Sequence, residues 1–294
     1  MRGVVPFRSL LFSPGSSRRM LEKARTSGAD ALIFDLEDAV AADQRGEARA
    51  NVAAALAAPD LPPTFVRVNH PATGELAADL DAAVVPSLYG VVLPKAETTD
   101  DVARLEAALT LREAQRGLPP GAIAVLPLIE SGRGLHFAFD MATTSPRVVG
   151  LAFSSGEAGD FMADIDGRWT PDGLAMQYAR SKTVSDTRAA GLSWPVDGVF
   201  MNLDDEAALD RECGLARTLG FQAKMAIHPG QLAAIHRAFS PTADEVAYSE
   251  GLLAAYRVAE AGGRGAFRHQ GMMVDKANVV RAERILARAR RFAP

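Results

Sequence analysis

Short apolar runs alternate with longer amphipathic stretches along most of this chain. The runs occupy residues 9–13, 31–35, 64–68, 90–93, 122–129, 148–153, 196–201 and 221–227, eight in all. Between them apolar residues recur at helical spacing, as in Val102, Leu105, Leu109 and Leu111, or Leu209, Cys213, Ala216 and Leu219. Eight strands alternating with helices predict parallel β/α units. A closed (β/α)8 TIM barrel fits both the count and the usual core of about 250 residues. An open doubly wound sheet is the competing arrangement. Its glycine-rich first turn is missing, because the first turn reads Ser13-Pro14-Gly15-Ser16-Ser17, without G-x-G-x-x-G.

After residue 227 the pattern changes. Residues 231–239 predict one more helix, and 242–261 a long amphipathic helix with Asp244 and Glu245 in its first turn, where negative charge is favoured. Gly262-Gly263-Arg264-Gly265 is a break, 267–274 is short and extended, and 275–291 is a terminal helix. The division read from this is a catalytic barrel over 1–240 and a C-terminal helical or lid extension over 241–294. The extension is too small for an independent core. It is expected to dock on the barrel or on a neighbouring subunit.

Composition narrows the class. Of 294 residues, 48% are hydrophobic and 23% charged, as in globular domains. A net charge of −4 offers no electrostatic case for nucleic acid. Residues 1–11 carry charge without a long apolar core, so they do not read as a signal peptide. No apolar run approaches the length of a membrane span. The expected compartment is the cytoplasm. Cys213 is the single cysteine, so an intrachain disulfide is excluded.

In a barrel the active groups sit at the C-terminal strand ends. Read in order, those ends carry Ser13-Pro14-Gly15, then Asp35-Leu36-Glu37-Asp38, Arg67-Val68-Asn69, Pro94-Lys95, Glu130, Asp160 and His228. Glu130 and Asp160 follow successive strands. Two such carboxylates can share one hard divalent cation, typically Mg²⁺, completed by waters and substrate oxygens. Glu157 competes with Asp160 for the second position. Glu37 and Asp38 suit ordered waters around that ion or the orientation of its ligands, while Asp38 equally suits a helix N-cap. Arg67 must be paired or bind an anion, because burying its charge alone is costly. Its fork fits a substrate carboxylate, and a salt bridge to Glu37 or Asp38 is the alternative. Lys95 could be a Schiff-base nucleophile only with a depressed pKa; among so many carboxylates it reads as a charged partner instead. His228 is a lone histidine without zinc-ligand spacing. Arg18, Arg19, Lys23, Arg45 and Arg49 follow the first two strands, either as a phosphate-binding rim or as solvated helix faces.

The ordered strand ends resemble one known family. Arg8-Ser9-Leu10-Leu11-Phe12-Ser13-Pro14-Gly15, Asp35-Leu36-Glu37-Asp38-Ala39-Val40, Val66-Arg67-Val68-Asn69, Leu93-Pro94-Lys95, Ile129-Glu130-Ser131 and Ala226-Ile227-His228-Pro229 are similar to the citrate lyase β-subunit family. That family includes malyl-CoA and citramalyl-CoA lyases within a Mg²⁺-dependent aldolase superfamily. The resemblance implies a TIM barrel with Mg²⁺ on Glu130 and Asp160 and the 2-oxo acid carboxylate on Arg67. It implies that Arg19, Lys23 and Arg49 approach CoA. Gly271-Met272-Met273-Val274-Asp275 resembles the family's C-terminal motif, in which the aspartate is the acid/base group and often serves an adjacent subunit. One departure stands out. The loop Phe153-Ser154-Ser155-Gly156-Glu157-Ala158-Gly159-Asp160 is longer than the family's F-G-x-x-D-like motif.

The function expected from this is reversible Claisen-type cleavage of a 3-hydroxyacyl-CoA thioester to acetyl-CoA and a 2-oxo acid. The expected assembly is a homotrimer or homohexamer, with no nucleic-acid or membrane partner. An aldolase acting on free 2-oxo acids and a non-catalytic acyl-CoA- or acyl-carrier-binding barrel are the alternatives. Neither the basic rim nor Asp275 is needed by a free-acid aldolase.

Overall fold

The structure is a computed structural model that describes residues 7–263 and 265–292. Residues 1–6, within the segment weighed as a leader, and Arg264, within the glycine break, lie outside the described residues. The eight apolar runs form β1 (Ser9–Pro14), β2 (Ala31–Asp35), β3 (Thr64–Arg67), β4 (Leu88–Leu93), β5 (Ala124–Ile129), β6 (Ala152–Phe153), β7 (Val196–Asp197) and β8 (Ala223–Ala226). They pair in parallel in chain order, and β1 closes on β8 with Ser9 opposite Lys224. This is the (β/α)8 barrel that the alternation predicts. Every residue of β2 is buried, as expected where one strand face fills the barrel and the other meets helices.

Side chains fill the interior. Leu10, Ile33, Phe65, Val92, Leu126, Leu128, Val196 and Met225 belong to one buried cluster. Phe7 and Trp194 close it at the N-terminal strand ends, with ring centroids 5.6 Å apart and nearly perpendicular. The Trp194 indole donates to the Phe7 carbonyl at 3.0 Å. A packed interior confines open chemistry to the opposite end.

Two strands are much shorter than their apolar runs. The run 148–153 contributes only Ala152–Phe153 to the barrel ladder, with Val148 making an isolated bridge to Val125. The run 196–201 contributes only Val196–Asp197. Glycine contacts explain this. A Cβ on Gly150 would lie 2.1 Å from the Trp194 carbonyl oxygen, and one on Gly198 would lie 2.4 Å from the Ser155 nitrogen. The backbones meet closely at those two glycines, outside regular pairing.

The chain divides into two compact units, with the boundary between His236 and Arg237. In the second unit, helix Ala243–Ala261 starts with a capping box between Thr242 and Glu245. The extended stretch is a hairpin of β9 (Phe267–His269) and β10 (Met272–Val274). Its two-residue turn, Gln270-Gly271, has positive φ at both positions, which matches the twist of the strands. Helix Lys276–Arg291 follows. Leu252, Val274, Val279 and Ala282 form this unit's small core. Among the described residues, no helix is long and apolar enough to cross a membrane.

Candidate active site

Asp35 and Arg67 end neighbouring strands in direct register. Arg67 donates from Nε to Asp35 Oδ1 at 2.7 Å and from Nη2 to Oδ2 at 2.6 Å. Its Nη1 lies 3.2 Å from Glu37 Oε2 and 3.6 Å from Asp38 Oδ2. The guanidinium also sits over the Phe12 ring, 5.0 Å from the centroid. Burial opposes its charge, but the Asp35 bonds and the nearby carboxylates hold it firmly protonated. Asp35 also accepts from the Glu37 and Ala39 amides, at 3.0 and 3.2 Å. It thereby shapes the loop that carries Glu37 and Asp38.

Lys95 follows β4. Its Nζ donates to Glu37 Oε1 at 2.5 Å and Asp38 Oδ1 at 3.0 Å, and lies 3.8 Å from Asp160 Oδ2. Its backbone N–H donates to Glu130 Oε2 at 2.7 Å. Burial would lower the lysine pKa, yet Glu37 and Asp38 raise it well above the usual range. That is the opposite of the depressed pKa a Schiff-base nucleophile needs, and it supports the reading of Lys95 as a charged partner.

Five carboxylates (Asp35, Glu37, Asp38, Glu130 and Asp160) face the two cations Arg67 and Lys95 in this cluster. Glu130 shows the effect of burial within this cluster. Burial pushes its pKa up to about 7, against the opposing Lys95 amide bond and Arg67 charge, with Glu37 and Asp160 adding to the rise. Burial likewise raises Glu37. Burial would also raise Asp38, but bonds from Lys95 and Glu37 with the charge of Arg67 leave it lowered. A buried carboxylate in an acidic cluster fits a hard cation, which would offset the excess charge. Among the described residues, no group of three or more His, Cys, Asp or Glu forms a metal cage on its own. Two carboxylates completed by waters and substrate oxygens need no such cage.

The structure brings Asp160, not Glu157, beside Lys95. Asp160 is half exposed and opens the short helix Asp160–Asp164. Arg19 and Lys23 are exposed on helix Arg18–Ala24, directly after β1. Arg49 is differently placed from the expected phosphate rim. It donates to Asp79 Oδ1 at 2.8 Å and pairs with Glu75. Asp79 is fully buried and needs that partner. Arg45 pairs with Glu75 as well, at 3.3 Å. His228 accepts from the Gly230 amide at 3.1 Å, as the cap of a short 3-10 turn. In the second unit, Asp275 is the N-cap of helix Lys276–Arg291. Its side chain accepts from the Ala277 and Asn278 amides, and its own amide donates to Asn278 Oδ1.

Residues 8–229 match the family model described as HpcH/HpaI aldolase/citrate lyase. The chain belongs to that family. By that membership it is a lyase. This family member is 35% identical over 281 residues to the citrate lyase subunit beta of Leuconostoc mesenteroides subsp. cremoris, covering 95% of this chain and 92% of that one. It is 36% identical over 290 residues to a (3S)-malyl-CoA thioesterase of Cereibacter sphaeroides, covering 98% and 96%. A crystal structure of the protein CitE from Mycobacterium tuberculosis, in complex with magnesium, acetoacetate and coenzyme A, shares 31% identity. It superposes with a TM-score of 0.77 over 98% of this chain and 99% of that one.

Two features of this family member were not read from its sequence. Asp35, rather than Glu37 or Asp38, takes the two parallel bonds from Arg67. The signal was available, since both residues end adjacent parallel strands. The second is a buried quartet outside the barrel wall. Asp197 accepts from Lys224 at 2.5 Å and from Arg180 at 3.1 Å, and Arg180 reaches Glu212 at 2.5 Å. Opposite charges inside two consecutive apolar runs were its trace in the sequence.

Proposed function

We propose that this chain is a Mg²⁺-dependent carbon–carbon lyase. It cleaves, and in reverse forms, a 3-hydroxyacyl-CoA such as malyl-CoA or citramalyl-CoA, giving acetyl-CoA and a 2-oxo acid. The observation that carries this reading is the acidic cluster around Glu130 and Asp160, gathered at the C-terminal strand ends with Arg67 and Lys95. Glu130 and Asp160 would hold Mg²⁺, which supplies Lewis acidity toward the oxygens of the 2-oxo acid portion. Arg67 orients that portion's carboxylate, with Asp35 fixing the plane of the guanidinium. Glu37 and Asp38 order water at the site. The exposed Arg19 and Lys23 receive the phosphates of CoA. Asp275, delivered from a neighbouring subunit of a trimer or hexamer, protonates the thioester enolate left by cleavage. In synthesis it removes a methyl proton from acetyl-CoA. General acid/base help of this kind is worth roughly 10²–10⁴-fold. The similar structure bound to magnesium, acetoacetate and coenzyme A supports this reading for the present chain.

A panel of hydroxyacyl-CoA thioesters tests it, assayed for 2-oxo acid and free thiol, with and without a chelator. Release of a 2-oxo acid together with acetyl-CoA, abolished by chelation, is expected. Release of free CoA without a 2-oxo acid would instead place the chain with its thioesterase relative. Turnover of free 2-hydroxy-4-oxo acids alone would place it with the free-acid aldolases.

A further inference from the structure

One residue touches both carboxylates assigned to the metal. The Lys95 amide donates to Glu130 Oε2 at 2.7 Å, and its ammonium lies 3.8 Å from Asp160 Oδ2. Its backbone is in the left-handed region, at φ +50°. That region is uncommon for a side chain without local backbone hydrogen bonding, and its cost is sustained only where the surroundings demand it. The demand here is geometric. Lys95 sits at the turn after Leu93-Pro94, and in that turn its N–H reaches Glu130 while the side chain reaches back to Glu37 and Asp38. Pro94 and Ala96, on either side, are buried, so the turn has little room to relax. A glycine would adopt the same φ without strain. Strain retained at a lysine points to a use for the ammonium as well as for the amide.

We propose that Lys95 is a positioning residue that competes with Mg²⁺. Its amide holds the Glu130 carboxylate in place, and its ammonium is an internal counter-cation over Asp160, Glu37 and Asp38. The ammonium sits where a second positive charge is repelled, and it draws Asp160 toward itself. Lys95 therefore weakens metal binding to the substrate-free protein and leaves the site dependent on the substrate's own oxygens for tight occupancy. Arg67 adds charge beside Glu37 and Asp38 through Nη1, but its Nε and Nη2 are committed to Asp35, and it is Lys95 that lies beside Asp160. This inference rests on the assignment of Glu130 and Asp160 to Mg²⁺.

Calorimetric titration of MgCl₂ into the full-length chain, without substrate and at low ionic strength, tests it. Lys95→Gly keeps the turn and the amide bond to Glu130 and removes only the ammonium. Removing a unit charge a few ångströms from a divalent ion is expected to tighten binding by about tenfold or more. Lys95→Arg retains the charge and is expected to bind within about threefold of the parent. Lys95→Met is the second neutral variant, and thermal melts report the folding of all three. Unchanged or weaker Mg²⁺ binding by Lys95→Gly and Lys95→Met would overturn the inference while leaving the metal assignment standing. Absence of Mg²⁺ binding in parent and variants alike would remove the metal assignment and the inference with it.

Discussion

Arg67 grips Asp35 through two parallel N–H···O bonds of 2.7 and 2.6 Å, across neighbouring strands and almost out of contact with water. The pair fixes the orientation of the guanidinium, which the proposed contact with a substrate carboxylate would use. Arg67→Lys keeps a charge but cannot make both bonds. We expect a large rise in KM for the 2-oxo acid, little change in CoA affinity, and lower thermal stability. Asp35→Ala should cost about 3–5 kcal/mol in urea unfolding, because it leaves a buried guanidinium short of its main partner. An Arg67→Lys variant with parental KM and kcat would reduce Arg67 to a structural ion pair.

Glu130 and Asp160 carry the metal assignment. Glu130→Gln and Asp160→Asn should each abolish Mg²⁺-dependent turnover and leave the far-ultraviolet circular dichroism unchanged. Glu157→Gln should retain activity, since Asp160 is the residue beside Lys95. Loss of activity in Glu157→Gln with none in Asp160→Asn would reverse the assignment within this loop.

As a proposed Mg²⁺ ligand, Glu130 would link metal binding to pH. Its pKa rises from an ordinary 4.5 to about 7 on folding, chiefly through burial. A raised folded pKa contributes stability that is complete below about 4.5 and is lost as pH climbs through about 7. Metal-free protein should lose this contribution across that window. Mg²⁺ must displace the proton, so its stabilising effect should grow over the same range. Melting temperatures with and without Mg²⁺, at about pH 5.5 and about pH 7.5, check this. An equal Mg²⁺-induced shift at both pH values would argue against Glu130 as a ligand.

Asp275 joins a catalytic expectation to an observed cap. Asp275→Asn is a comparably good N-cap, so helix Lys276–Arg291 should persist. Exchange of the acetyl-CoA methyl protons in deuterated solvent should nevertheless be lost. Asp275→Ala should in addition destabilise the helix by about 1 kcal/mol. Parental turnover in Asp275→Asn would leave Asp275 as a cap alone.

The quartet of Arg180, Asp197, Glu212 and Lys224 is a structural prediction away from the acidic cluster. All four are buried, and Asp197 holds both cations. Asp197→Ala should destabilise the barrel by about 3–5 kcal/mol, measured by denaturant unfolding. A cost within about 0.5 kcal/mol would mean that water or rearrangement neutralises the cations.

Much of this protein follows from chain order alone. Parallel strands joined by helices put every C-terminal strand end on one face, so Glu37, Arg67, Lys95, Glu130 and Asp160 could be grouped without coordinates. The alternation of short apolar runs with helical spacing set the barrel, because period and length are local properties. The second unit's helices were legible for the same reason, with Asp244 and Glu245 in the first turn of the longer one; the capping boxes at Thr242 and Asp275 were added by the structure.

Partner choice was settled only by tertiary structure. Arg67 meets Asp35 across 32 positions and Lys95 meets Glu37 across 58, distances at which spacing carries no geometric information. Arg49 looked like a candidate for an anion rim until packing set it against buried Asp79. The close backbone meetings at Gly150 and Gly198 cut two strands to two residues each, although their apolar runs continue. The left-handed turn at Lys95 has no signature in residue type, since lysine has no preference for it. Local patterning therefore determined which groups share the barrel mouth. Folding in three dimensions determined which of them hold one another.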